Sequence, residues 1–198
     1  MKILRKIFYS LIVLILSGIV VVLIYLASQK PHYNGSIKMP GLSNEVEVIY
    51  DYYGVPHIYA ESETDAYFAL GFVHAQDRLF QMEMTKRVAS GQLSEIFGVD
   101  FIKVDAFFKT LGFQEHANAA ASKFMSEDSL PYQKAAKAYL KGINHFINTG
   151  STPVEFVMLG IVKRIFQFLI CISLLNTWHL ILQWPFVQIR SCHLFNKN

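Results

Sequence analysis

Between Ile7 and Ala27 the chain carries no charged side chain, and no other feature limits its folding as sharply. As a helix these 21 residues would span roughly 31 Å at 1.5 Å per residue, about the hydrocarbon thickness of a bilayer. A helix that is apolar all round has no face to turn toward water, so it belongs in a membrane or is removed. Lys2, Arg5 and Lys6 precede it. Basic residues hold their side of a span in the cytoplasm, which places everything downstream on the periplasmic or extracellular side. Two fates are open: an uncleaved anchor touching the membrane through residues 7–27, or a signal peptide cleaved near Leu26-Ala27-Ser28 and a secreted body. Signal peptides usually have an apolar core of about 7 to 15 residues, so the length favours the anchor.

The formal charge of +3 comes partly from that basic cluster and gives no ground for a nucleic-acid partner. Cys171 and Cys192 are the only cysteines. An exported body could use disulfides, but this one has no framework of them and must hold by packing.

Residues 1–28 are thus a signal anchor or signal peptide, and residues 29–42, with Pro31, Gly35, Pro40 and Gly41, read as a linker. Val46, Val48 and Tyr50 alternate with polar neighbours and predict a strand with one buried face. A second extended run, Val55 to Ala60, follows Gly54, and the two together predict a hairpin. Pro56 lacks an N–H, which puts its run at a sheet edge or makes it irregular. Ser62 and Asp65 resemble a capping box, and Gly91 is a natural helix stop, so a long helix is expected between them. Phe68, Phe72, Ala75, Leu79 and Met82 make one apolar stripe; Val73, Phe80 and Met84 make a second, with Asp77 inside it. A helix apolar on two faces predicts a buried polar network for Asp77, with Arg78 or Gln81 as its nearest partner. From Phe101 to Asn148 the pattern is mostly helical. Pro131 suits a first helical position, and Tyr132, Ala136, Tyr139, Ile143 and Phe146 mark a buried face ending at Gly150.

His57, His74 and Asp77 are the first residues to test for metal binding or acid–base chemistry. His74 and Asp77 lie three apart on one helix, near the spacing of helical metal ligands, but no third ligand is evident. A hydrogen-bonding role is the expected one. No G-x-S-x-G elbow, H-E-x-x-H or P-loop occurs. The expected site content is therefore no catalytic, cofactor-binding or metal-binding residue.

The run Asp51 to Ala60, the run Gly71 to Met84 and the run Gly91 to Gly98 resemble successive blocks of the penicillin acylase α-chain. Ala138 to Ile147 and Pro153 to Phe156 resemble two later blocks, so the similarity covers about residues 41–160, with 43–160 as an α-chain-like domain. The resemblance implies an α+β protein: a short β-hairpin entry, then the mainly helical α-chain portion of an N-terminal nucleophile hydrolase of αββα type. Such enzymes cleave amide bonds of N-acylated small molecules such as β-lactams or acyl-homoserine lactones. Their nucleophile is a serine that opens the β-chain after self-cleavage, usually as Ser-Asn-x-Trp following a glycine. Here Gly35-Ser36 continues as Ile37-Lys38 and Gly150-Ser151 as Thr152-Pro153, and neither fits. On this plan the nucleophile lies on a β-chain encoded beyond or apart from this chain, which is inactive alone. The competing reading is a membrane-tethered, non-catalytic binding module for acylated ligands. The family's calcium ion uses one α-chain glutamate expected a few residues after Gly160. Glu155 is not its counterpart, and no cofactor is expected in this chain alone.

Residues 161–198 read as an anomalous tail. The apolar stretch from Ile165 to Trp184 is broken by Gln167, Asn176, His179 and Gln183, a poor pattern for a second span. Reading the codons of residues 170–185 one base earlier allows a string resembling the family's next helix. Alanine is forced across Trp178-His179 and across Trp184-Pro185. A frameshift near Val162 to Phe166 is the expectation.

Overall fold

The computed structural model describes residues 2–29, 33–126 and 130–166. The protein is mostly helical, with one two-stranded sheet. Helix α1 (Lys2–Ser28) leads by an irregular segment to strands β1 (Val46–Tyr50) and β2 (Pro56–Ala60). Then come α2 (Glu63–Ser90), α3 (Ser94–Phe97), a 3-10 turn at Val99–Phe101, α4 (Ile102–Thr110), α5 (Phe113–Ser126), α6 (Pro131–Thr149) and α7 (Val154–Met158). The expected frameshifted segment beyond residue 166, including most of the second apolar stretch, lies outside the described residues. Residues 161–166 continue the body: Ile161 and Phe166 are buried in its core, and Asn144 bonds both the N–H and the carbonyl of Phe166.

The hairpin forms as expected, with Val46 opposite Ala60 and Tyr50 opposite Pro56, and Gly54 turning the chain at φ 74°. Asp51 organises the turn. Its Oδ1 accepts from the N–H groups of Tyr53 and Val55, both at 2.9 Å.

Helix α2 starts and stops where its sequence directs. Asp65 N–H donates to Ser62 Oγ at 3.0 Å, and Gly91 closes the helix in the left-handed region at φ 61°. Asp65 does more than place charge in the first turn. Its buried carboxylate accepts from Ser43 N–H at 2.9 Å and Asn44 N–H at 3.2 Å, tying the linker's end to the helix. Asp105 does the same for the α2–α3 connection, accepting from Leu93 N–H and Ser94 N–H at 2.9 and 2.8 Å.

The core is the crossing of α2 and α6. A Cβ on Gly71 would stand 2.0 Å from the Tyr139 carbonyl oxygen, and one on Gly142 would stand 2.0 Å from that of Phe68. The helices therefore touch backbone to backbone, closer than usual interaxial packing of 8–10 Å between side-chain-bearing helices allows. Around this contact Phe72, Ala75, Leu79, Ile143, Phe146 and Ile147 are buried. Ile143 and Phe146 are buried as expected, but toward its start the buried face of α6 differs from expectation. Tyr132 is exposed, while Gln133, Ala135, Ala138 and Gly142 face inward. Small residues at the contact let the backbones meet, and a ring at that place would hold them apart. Gln133 is satisfied locally, accepting from Leu130 N–H and donating to the Phe124 carbonyl.

Candidate functional site at the break in the second helix

Helix α2 is not continuous. Arg78 has φ −132° and ψ 16°, off the helical values, with no proline or glycine at the position. A break of this kind redirects the side chains on either side of it. The turn 76–81 lines one wall of a cleft of about 340 Å³. Phe146 from α6, the segment Ser151 to Glu155, and Leu26 and Gln29 at the end of α1 complete it.

The polar groups at this end are paired across long sequence separations. Tyr33, from the linker, donates its hydroxyl to Asp77 Oδ1 at 3.0 Å and packs edge-on against Tyr50 at 4.8 Å. This corrects the expected surroundings of Asp77: it is exposed, and its partner is Tyr33 rather than Arg78 or Gln81. Arg78 turns instead to Gln81, donating to Oε1 at 3.0 Å. Desolvation raises the Tyr33 phenol, and the bond to Asp77 adds to the effect. Desolvation, followed by the charge of Asp77, pushes Tyr50 up to about 12. Both phenols thus stay protonated at neutral pH. Desolvation also lowers His74, which Arg78 reinforces and Asp77 opposes. His74 Nδ1 lies 3.0 Å from the Tyr139 hydroxyl.

The residues singled out for metal or acid–base chemistry are therefore each engaged by a different partner. His57 lies on the hairpin, 3.3 Å from Asp51 Oδ2. His74 is engaged by Tyr139, and Asp77 by Tyr33. Of the two glycine-serine pairs, Ser151 donates its hydroxyl to the Gln29 backbone carbonyl at 3.3 Å, joining the end of α1 to the body. Among the described residues no group of three or more His, Cys, Asp or Glu is placed to hold a metal ion. Glu155 is exposed at the rim of the cleft.

Helix α1 contains one stretch, Arg5–Ser28, long and apolar enough to cross a membrane, with a mean hydropathy of 3.0 and none of it buried in the protein.

Comparison with known proteins gives a consistent result. The family model for penicillin amidase matches residues 45–187, running past Gly160 into the segment set apart by its composition. Penicillin acylase 2 proenzyme of Pseudomonas sp. (strain SE83) is 41% identical over 131 residues, 66% of this chain and 16% of that protein. Acyl-homoserine lactone acylase QuiP of Pseudomonas aeruginosa is 30% identical over 122 residues, 61% of this chain and 14% of that protein. The solved structure of thermostable penicillin G acylase from Alcaligenes faecalis matches with a TM-score of 0.55 and 26% identity, covering 66% of this chain and 69% of that one. The chain spans less than a fifth of the length of these curated relatives.

Proposed function

The chain belongs to the penicillin amidase family, and on that premise we propose that it is the α-chain-like part of an amide hydrolase for N-acylated small molecules. In this reading α1 holds the body at the outer face of a membrane, and the reacting serine opens a β-chain that completes the αββα architecture. The observation that carries the reading is the company kept by the histidines. His57 and His74, the two histidines the sequence singles out, bond Asp51 and Tyr139, which supports reading the described body as a scaffold.

The chemistry assigned to the β-chain follows from its N-terminus. An α-amine has a pKa near 8, so at neutral pH a fraction is unprotonated and can accept the serine hydroxyl proton during attack on the amide carbonyl. Backbone N–H donors then hold the tetrahedral oxyanion, the amine leaves, and water releases the acid.

The test is to reconstitute the full chain in detergent, alone and with the β-chain of the Pseudomonas penicillin acylase relative, using N-phenylacetyl-4-nitroanilide as the probe. Nitroaniline release only from the mixture is the expected result. Release by the chain alone, abolished by Ser36→Ala or Ser151→Ala, would overturn the proposal.

The cleft at the Arg78 break favours one other reading, a non-catalytic module that holds an acylated ligand. Saturable binding of a fluorescent N-acyl-homoserine lactone to the chain alone, lost on Arg78→Ala, would select it over the hydrolase.

A further inference from the structure

Helix α7 ends in a glycine cap, with Gly160 at φ 65° and its N–H donating to the Val157 carbonyl, and the cap leaves an apolar surface outside it. Phe156 and Ile161 are buried, and Ile161 N–H donates to the Phe156 carbonyl at 2.7 Å, closing the base of the loop. Between them Val157, Met158, Leu159 and Gly160 all face outward, with Met158 80% exposed. Val162, 71% exposed, and Ile165 extend the same apolar surface. The cap accounts for the backbone and not for the side chains: exposed Val157, Met158, Val162 and Ile165 form an apolar surface of the kind that marks a contact.

Its position says what it contacts. The loop grows from Ser151–Glu155, the segment that shares the cleft with Leu26 and Gln29, and Ser151 bonds the Gln29 carbonyl where α1 ends. Lys163 is fastened to the same place, donating to the Gly150 carbonyl at 2.9 Å, and the exposed Arg164 follows it. If α1 spans a bilayer, the chain leaves the lipid at Gln29 and this loop stands beside the point of exit. Apolar side chains next to basic ones are the composition that enters the headgroup boundary of an anionic membrane.

We propose that the segment 157–165, the end of α7 and the chain after it, is a second membrane contact, in which Val157, Met158 and Val162 enter the interface and Arg164 meets anionic headgroups, so that the body is seated on the bilayer in one orientation instead of swinging on its anchor. This rests on the reading of α1 as an uncleaved span. The exposed run that includes Val99 and Ile102 serves as the control.

The experiment uses the full chain with Cys171→Ser and Cys192→Ser, reconstituted in vesicles of phosphatidylcholine and phosphatidylglycerol. An environment-sensitive fluorophore is attached at Met158→Cys, Val162→Cys, Val99→Cys or Tyr52→Cys. Resistance to alkaline carbonate extraction tests the span separately. The expected result is a carbonate-resistant chain in which brominated lipid quenches positions 158 and 162 about threefold or more above positions 99 and 52. Arg164→Glu should reduce that difference in the anionic vesicles, with unchanged helical circular dichroism. Equal quenching at all four positions overturns the seat while carbonate resistance leaves the span standing. Protection of position 158 from both lipid-borne and aqueous quenchers overturns it in favour of a protein partner, such as a β-chain or a second copy. A chain extracted by carbonate overturns the span and the seat together.

Discussion

The α2–α6 crossing and the rim around it are held by opposite means. At the crossing, two glycines let one helix backbone touch the other, and the rings of Phe72 and Phe146 close over the contact edge to face at 5.4 Å. At the rim, apolar burial is thin. The hairpin leaves Tyr52, Tyr53 and Tyr59 exposed, and α4 leaves Ile102 and Phe107 exposed. What fixes the rim is a set of carboxylates, Asp51, Asp65 and Asp105, each accepting two backbone N–H groups from a connecting segment. Close packing tolerates almost no added volume, whereas charge-assisted hydrogen bonds to main-chain donors are sensitive to pH and indifferent to bulk.

The largest effect should come from Gly142→Ala. The new methyl meets the Phe68 carbonyl oxygen, so the helices must separate, at a cost of about 3 kcal/mol or more. Thermal unfolding of the full chain in detergent reads this, and a shift within error of the parent would show that the crossing is looser than described. Next is Asp105→Ala, which strands the N–H groups of Leu93 and Ser94 and should cost about 2 kcal/mol. Its companion, Asp105→Asn, keeps an acceptor and should recover part of the loss.

Acid separates the two regions without mutation. Hydrogen bonding from Ser43 lowers the Asp65 carboxyl against the opposing effect of burial, and in Asp105 burial is outweighed by the bonds from Ser94 and Leu93 and the charge of Lys109. Both folded pKa values therefore lie below the ordinary 3.8. Their contribution is fully present above that value and is lost as pH falls through the lower, folded values. Protection factors of the Leu93 and Ser94 amides, corrected for intrinsic exchange at each pH, should fall as pH drops below the ordinary 3.8 while those of Phe72 and Ile143 hold. Simultaneous loss of both would refute the distinction. The smallest effect is expected from Tyr33→Phe, which removes one exposed bond to Asp77 and should change stability by about 0.5 kcal/mol.

These two regions also differ in how far the sequence revealed them. Elements set by local chemistry were legible: the Ser62 cap, the Gly91 stop, the Gly54 turn and Pro131 at the start of α6. So was the stripe Phe68, Phe72, Ala75 and Leu79. The crossing was not, because hydrophobic periodicity registers large side chains and this contact is made by their absence. A glycine inside a helical stripe, Gly71, was the available signal. Tyr132 was assigned inward for the same reason. The partners of Asp77 and His74, Tyr33 and Tyr139, lie 44 and 65 residues away, and nothing local announces them. The double roles of Asp65 and Asp105 were also missed, since a capping residue discloses what it caps only when the neighbouring segment is in place.

The central claim is that this body scaffolds an amide hydrolase whose serine lies on another segment. Its most direct test is to treat the reconstituted two-component enzyme with phenylmethanesulfonyl fluoride and locate the adduct by mass spectrometry. An adduct on the N-terminal serine of the β-chain, none on this chain, and parallel loss of activity is the predicted result. An adduct on Ser36, Ser151 or any other serine of this chain that tracks the loss of activity would contradict it.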